Sequence, residues 1–340
     1  MILLDLTLEE LKNEIKKLGE PAFRAVQIYA WLNAGVPFEE MTNLSKSLRE
    51  KLRAEYTEGF PNIVTVKESM DGTKKFLFGM QDGSLVESVL MRYEYGNTVC
   101  ISSQAGCAMG CRFCASTKGG LIRNLSAGEI LSQVVAVNAM EGKGRSIKNV
   151  VMMGTGEPFN NYENAVKAIK LMHDEKGLNI SARNISLSTC GLIDGINRFA
   201  NEELPVTLCL SLHSAFDDKR AQIMPIANRY SVKETVDAMR RYYEKTGRRV
   251  IFEYILIKNF NDGEEDVSEL KKLTYGMACH INLIPYNTVE GVPFEAPSVS
   301  HTHAFAAKLN DNGISATVRR SLGRDIDGAC GQLRARVMQL

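Results

Sequence analysis

The chain has 340 residues, 41 Lys and Arg against 40 Asp and Glu, a formal charge of +1, and 44% apolar residues. That length allows one large domain with a smaller companion, and the apolar content supports a packed core, which excludes collagen-like, coiled-coil and disordered chains. The longest apolar stretches, such as residues 204–212, reach about half of the ~20 residues that a membrane-spanning helix needs. The start mixes Asp5, Glu9, Glu10 and Glu14 with leucines, which is not a targeting peptide. A cytoplasmic protein without membrane contact is expected, and the near-neutral total leaves the question of a partner to local charge.

Residues 1–60 read as a small helical accessory domain in which Pro21 to Arg24 starts one helix and the stretch 45–56 carries Lys46, Arg49, Lys51 and Arg53. Residues 61–96 alternate apolar and polar positions, with turns at Asp71-Gly72 and Asp82-Gly83. Two or three antiparallel strands therefore connect this domain to the rest. From 97 to 340, strand and helix patterns alternate. A β-rich run at 98–104 leads into a loop of small residues, and Ser126 as N-cap with Glu129 at the capping-box position opens a helix reaching Met140. Further β-branched runs recur at 147–153, 184–188, 206–212, 249–256, 280–285 and near 316–320. This alternation predicts an α/β fold with parallel strands and right-handed crossovers. About six β/α units fit, giving an open partial (β/α)6 barrel rather than the eight of a closed one, with ligands at the C-terminal ends of the strands.

Eight cysteines carry the first chemical information. Cys100, Cys190, Cys209, Cys279 and Cys330 are scattered, whereas Cys107, Cys111 and Cys114 crowd into a C-x3-C-x2-C loop. Three thiols at this spacing in a Gly-rich loop read as soft metal ligands, since buried structural cysteines have no reason to cluster so. Structural zinc takes four ligands, usually as two pairs, and no second pair follows. An iron–sulfur cube held by three thiolates leaves one iron open to a ligand. The loop follows the first strand, at the predicted mouth of the barrel.

Other strand ends also carry ligand-type residues. After the second strand stand Gly154, Gly156 and Glu157, where glycine admits close backbone approach and the carboxylate suits a positive amino group. Ser188, then Ser211-Leu212-His213, then Tyr286-Asn287 offer short hydrogen-bonding groups for a carboxylate, ribose or adenine edge. Near the C-terminus, Cys330 sits between Ala329 and Gly331, which leaves its sulfur accessible. Five arginines between 319 and 336 face only Asp325 and Asp327, and a second basic cluster, Arg240 to Arg249, suits phosphate contacts.

With these motifs the sequence resembles, over essentially its whole length, the radical S-adenosylmethionine (SAM) RNA methyltransferases that act on C2 of adenosine in 23S rRNA and tRNA. The resemblance rests on Cys107/Cys111/Cys114, residues 154–158, Ser211-Leu212-His213, residues 283–287 and the stretch from Asp325 to Leu333. It implies a 4Fe-4S cluster on Cys107, Cys111 and Cys114, and SAM contacts from Gly156, Glu157, Ser188, Ser211, Leu212, His213 and Asn287. It also implies two SAM per turnover. One methylates Cys330; the other yields a radical that lets the methyl carbon add to C2, which is too electron-poor to attack SAM itself. Glu87 then corresponds to the proton acceptor, and Cys100 to the thiol that releases the RNA by forming a disulfide with Cys330.

The implied partners are 23S rRNA, tRNA and a reducing donor such as flavodoxin or ferredoxin, acting on a monomer. Two competing readings stand beside this one: a C8-methylating 23S rRNA resistance enzyme of the same superfamily, and, from a different class, a non-catalytic zinc-dependent RNA-binding protein. Cys190, Cys209 and Cys279 are expected in the core, as is Trp31, and His173, His301 and His303 at the surface.

Overall fold

A one-turn 3-10 helix at Leu3–Asp5 precedes three helices, α1 (Leu8–Lys17), α2 (Phe23–Asn33) and α3 (Lys46–Glu55). Thr7 opens α1 with a reciprocal cap, its hydroxyl accepting from Glu10 N–H while the Glu10 carboxylate accepts from Thr7 N–H. Leu11, Ile15, Ile28, Leu32, Leu48 and Leu52 bury the inward faces completely. The chain returns on itself through a bridge between Ile2 and Thr57. Asp5 takes the Gly128 N–H, and Lys167 pairs with Glu10, so these helices are fastened to the elements that follow.

The computed structural model describes residues 1–142, 146–287, 293–320, 322–326 and 332–337. After α3 come β1 (Asn62–Glu68), β2 (Lys74–Gly79), β3 (Leu85–Met91), β4 (Asn97–Cys100), β5 (Gln104–Gly106) and β6 (Leu121–Asn124). The β/α alternation continues with α4 (Ala127–Met140), β7 (Ile147–Met152), α5 (Tyr162–His173), β8 (Ile185–Thr189), α6 (Ile193–Phe199), β9 (Thr207–Ser211), α7 (Asp217–Ile223) and α8 (Val232–Thr246). It closes with β10 (Val250–Leu256), α9 (Glu264–Thr274), β11 (Cys279–Pro285), α10 (Val299–Asp311), β12 (Ala316–Val318) and α11 (Gln332–Val337).

Among the described residues ten strands make one sheet, in the order β1-β2-β3-β4-β7-β8-β9-β10-β11-β12. From β4 to β12 all neighbours are parallel, as crossovers through helices require. The order begins at β1 and ends at β12, so the barrel is open, as expected. The strands of the 61–96 segment number three and do more than connect: they continue the barrel's own sheet as an antiparallel edge, β3 pairing with β4 so that Val89 faces Cys100. Their turns carry Gly72 and Gly83 at φ +80° and +83°. The predicted α4 opens with the Ser126–Glu129 capping box.

The run expected as one strand at 98–104 is two. Its ladder stops at Ser102, whose hydroxyl donates to the Glu87 carbonyl and accepts from Thr155 N–H. The chain then turns out into β5, which pairs with β6 across the cysteine loop. The end of β7 is laced onto this turn: Gly154 N–H donates to the Ile101 carbonyl, and Ser103 and Gln104 N–H groups donate to the Thr155 carbonyl. A Cβ at Gly154 would stand 2.7 Å from the Ile101 carbonyl oxygen and 2.8 Å from Ser102 Oγ. Backbone cannot yield there, so Gly154→Ala is expected to cost about 1–3 kcal/mol as overpacking. Thermal unfolding of variant and parent proteins checks this; an unchanged midpoint would remove the close approach from the account.

Candidate active site

The cysteine loop is braced before any metal is considered. Gly106 holds φ +79°, and a Cβ there would fall 2.1 Å from the Gly120 carbonyl oxygen, so the two arms of the β5–β6 hairpin meet at glycine. Cys107 N–H donates to that same carbonyl, Cys114 N–H to the Cys111 carbonyl, and the Thr117 hydroxyl to the Cys114 carbonyl at 2.9 Å. Cys107, Cys111 and Cys114 line one wall of a cavity of about 1050 Å³. Burial pushes the Cys107 thiol up to about 11, with the neighbouring Cys114 and Glu157 adding to the rise. Cys111 is raised for the same first reason.

Among the described residues no three His, Cys, Asp or Glu side chains converge closely enough to hold a single ion. Three soft thiolate donors on one wall of a cavity suit an iron–sulfur cube, which takes one thiolate at each of three corners and leaves the fourth iron open. The donor set fits a 4Fe-4S cluster, and the raised thiols would give up their protons on bonding to iron.

Facing the loop, Gly156 sits at φ +112°, where a Cβ would strike Ser103 Oγ and Gln104 Cβ at 2.7 Å. Glu157 follows, 3% exposed. Its carboxylate accepts from Cys190 N–H at 2.7 Å and Phe159 N–H at 3.1 Å, while its own N–H donates to Gln104 Oε1. Burial holds the Glu157 carboxyl above its ordinary range, opposed by these hydrogen bonds. Thr189, Cys190 and Ser188 form the adjoining strand end. Arg220, fully buried, donates to the carbonyls of Cys190 (2.7 Å), Ser211 (3.1 Å) and Leu212 (3.0 Å), and so ties the end of β8 to the end of β9.

His213 adopts φ +58°, uncommon for a residue with a Cβ, and stands edge-on to Phe113 in the cysteine loop with centroids 4.7 Å apart. Its Nδ1 accepts from Ile255 N–H at 3.1 Å, which assigns the proton of the neutral ring to Nε2. Burial, helped by Arg220, pushes the ring pKa down to about 3. The ring is thus a neutral donor at the cavity.

The cavity also takes in Ser211, Asn287, Val89, Met91 and Gln332. Leu212 is placed otherwise: its side chain is fully buried in the main core and its N–H and carbonyl are engaged by the Glu253 carbonyl and Arg220. Cys100 is buried behind Val89 and Met91, and Glu87 lies on the same face of β3, two residues before Val89. No two of the described cysteines are joined by a disulfide. Cys330 lies outside the described residues, although Gln332, two positions on, lines the cavity.

Several contributors gave no sequence signal. Cys190 is buried as expected, yet on the cavity wall, and its N–H holds Glu157; Arg220 lies in no motif; Thr302 and the exposed His303 reach the cavity. The mid-chain basic cluster, by contrast, is occupied elsewhere. Arg240 caps the Leu273 and Tyr275 carbonyls, Arg249 bonds Ser315 and the Cys279 carbonyl, and both β10 and β11 begin beside them, at the barrel end away from the cavity.

Comparison with known proteins agrees with this geometry. The radical SAM superfamily model matches residues 101–270, and the ribosomal RNA large subunit methyltransferase N-terminal domain model matches residues 1–57. A crystal structure of a radical SAM methyltransferase from Sphaerobacter thermophilus is 45% identical, covers 98% of both chains and superposes with a TM-score of 0.94. The fold and site thus define a radical SAM methyltransferase. A relative from Clostridium beijerinckii, bearing the name "Probable dual-specificity RNA methyltransferase RlmN", is 51% identical over 98% of this chain and 94% of its own. One from Alkaliphilus oremlandii with the same name is 48% identical over 99% and 98%. The chain belongs to the RlmN family of dual-specificity radical SAM RNA methyltransferases.

The depressed His213 pKa has a consequence for stability. The unfolded chain binds a proton near pH 6.5 that the folded ring refuses until about pH 3. Stability attributable to this ring is complete above the unfolded value and falls with pH through that window, at up to about 1.4 kcal/mol per unit. His213→Asn keeps a residue tolerant of positive φ and removes the titration. The drop in melting temperature between about pH 7 and pH 5 is expected to shrink in the variant; an undiminished drop would place the sensitivity elsewhere.

Proposed function

We propose that this enzyme methylates C2 of adenosine in 23S rRNA and tRNA, with Cys330 as the methyl carrier. One observation carries the reading: a single cavity joins the cysteine loop, Glu157 and His213 to the wall in front of Cys100 and to Gln332, two positions after Cys330. When bound, the cluster on Cys107, Cys111 and Cys114 supplies the electron that makes a hydrogen-abstracting radical from SAM, and SAM supplies the methyl group.

The chain's own groups have the remaining tasks. Glu157 offers a buried carboxylate to the amino group of SAM, and the His213 Nε2–H, Ser188, Ser211 and Asn287 offer short polar contacts beside Gly156. Leu212 contributes through its fixed backbone. Cys330 takes the methyl by displacement, as a thiolate does readily. Once its methyl carbon, less one hydrogen atom, is joined to C2, the adduct holds an unpaired electron, which would return to the oxidised cluster as the C2 proton passes to Glu87. The Cys100 thiol then attacks the Cys330 sulfur. The bond from that sulfur to carbon breaks, its electron pair stays on carbon, and a proton completes the methyl group. A Cys100–Cys330 disulfide remains, to be reopened by an external dithiol. Two SAM are consumed per turnover, and a reducing donor such as flavodoxin or ferredoxin supplies the electrons.

Arg319 and Arg320 at the cavity rim suit RNA phosphates. The division of labour follows the chain: a helical accessory domain at 1–60, connecting strands at 61–96, and a catalytic domain at 97–340. No helix among the described residues is long and apolar enough to cross a membrane; on this reading the enzyme works in the cytoplasm as a monomer.

Anaerobic purification is expected to give a brown protein containing iron and sulfide; a colourless protein with one zinc would overturn the catalytic reading. RNA from a null strain complemented with this gene should yield 2-methyladenosine on digestion, whereas 8-methyladenosine would assign the other regiochemistry. Cys330→Ala should abolish methylation while leaving the iron content intact. Cys100→Ala should accumulate a protein–RNA species that survives denaturing electrophoresis. Full turnover in Cys330→Ala would refute the carrier mechanism.

A further inference from the structure

Lys75 and Glu87 form an ion pair in which both side chains are withdrawn from water, 0% and 3% exposed, with Nζ and Oε2 3.1 Å apart. They stand on adjacent strands but not opposite each other: Glu87 is the register partner of Leu77, and Lys75 that of Val89. The pair therefore crosses the β2–β3 ladder diagonally, on the face toward which Val89 and Met91 line the cavity. Burying two charges is costly unless further hydrogen bonds complete their coordination. One such bond is long-range: Glu87 Oε1 accepts the Arg334 N–H at 2.5 Å.

Arg334 belongs to the first turn of α11, where an N–H has no carbonyl within its own helix. A charged acceptor buried beside it is a strong partner. The helix packs on β3 and on the 115–117 turn that leaves Cys114. It starts two positions after Cys330, and its first residue, Gln332, lines the cavity. Asp325, on the other side of Cys330 in the chain, is held separately by Ser69 Oγ and Met70 N–H in the β1–β2 turn. Both flanks of the Cys330 segment are thus fastened to the antiparallel strands rather than to the parallel barrel.

We propose that the buried Lys75–Glu87 pair is the dock of α11 and fixes the point from which the chain presents Cys330, which makes Lys75 a positioning residue for methyl transfer. The functional half of this statement rests on the reading of Cys330 as methyl carrier; the dock itself does not. Lys75 holds the Glu87 carboxylate where Arg334 N–H finds it. Without the ammonium, a buried carboxylate has lost its counter-ion and the charge-assisted bond to α11 weakens. Since the same carboxylate is the proposed acceptor of the C2 proton, neutralising it also loosens its hold on the segment that carries the adduct.

The test uses the anaerobic holoenzyme and two variants, Lys75→Met and Glu87→Gln, with Lys75→Arg as the charge-conserving control. Hydrogen exchange read by mass spectrometry over residues 332–337 is expected to quicken by about tenfold in the first two. It should stay near the parent rate in Lys75→Arg, with iron per chain unchanged. Methyl occupancy of Cys330 after incubation with SAM should fall in parallel. Parent-like protection of 332–337 in both Lys75→Met and Glu87→Gln would overturn the proposal, and so would exchange that quickens equally across the barrel strands. If the parent enzyme carries no methyl on Cys330 while α11 still loosens in the variants, the carrier reading fails and the dock stands.

Discussion

The site depends on one close approach of backbone to backbone. Where β7 ends, Gly154, Thr155 and Gly156 lie directly on residues 101–104, an approach that two residues without a Cβ permit. The cysteine loop begins three residues beyond that contact and Glu157 begins one residue beyond it. Their separation is therefore set by hydrogen bonds at this contact, some between backbone groups and others from Thr155 N–H to Ser102 Oγ and from Glu157 N–H to Gln104 Oε1. The fixation then passes round the mouth: Glu157 takes the Cys190 N–H, Arg220 takes the Cys190, Ser211 and Leu212 carbonyls, and His213 takes the Ile255 N–H. Each link joins a charged or polar side chain to buried backbone, the kind of bond that gains most from low dielectric and costs most when unmade.

The same links leave the cavity electrically incomplete. Glu157 is held by N–H groups, with no Lys or Arg among the described residues paired to it, and burial raises its carboxyl. Glu253, also buried and raised, accepts from Asn282. His213 adds no charge. A ligand bearing an ammonium or sulfonium group would relieve the desolvation of this interior, whereas an anion would worsen it. The positive side chains that line the cavity are Arg319, whose charge opposes the rise at Glu253, and Arg320, exposed where a polyanion can reach it without entering. Charge thus sorts ligands by depth, which a formal total of +1 conceals.

What the sequence made legible was local. The C-x3-C-x2-C spacing, the Ser126–Glu129 cap and the β-branched runs each lie within a dozen residues, and each is where it was read. The contributions that escaped are made by pairs distant in sequence. Cys190 matters through its N–H to a carboxylate 33 positions earlier, and Lys75 through a partner whose other bond is 247 positions away. Neither residue type nor period encodes such pairings. The Arg240–Arg249 cluster misled for the converse reason: a run of charge looks the same whether it faces a ligand or caps carbonyls at the far end of a barrel. The break at Ser102 escaped because residues 98–104 contain no Gly, Pro, Asn or Asp to mark a turn, and only the hydroxyl's bonds to Glu87 and Thr155 end the ladder.

That break explains why three antiparallel strands belong to the active site at all. A parallel barrel that stays open presents an unpaired edge at its first strand, and an edge must be paired or covered. Here β3 pairs with β4, and the pairing sets Val89 opposite Cys100 and Glu87 beyond the end of β4, beside Ser102. The edge is thereby satisfied and a second wall is raised facing the cysteine loop, from strands that a closed barrel would have no place for. The order ends at β12 without pairing back to β1, so the sheet keeps a lateral gap between its two edges. Closing the barrel would protect the edge equally well, but it would leave neither the gap nor the Lys75–Glu87 dock, and α11 would keep only the 115–117 turn of the cysteine loop to rest on.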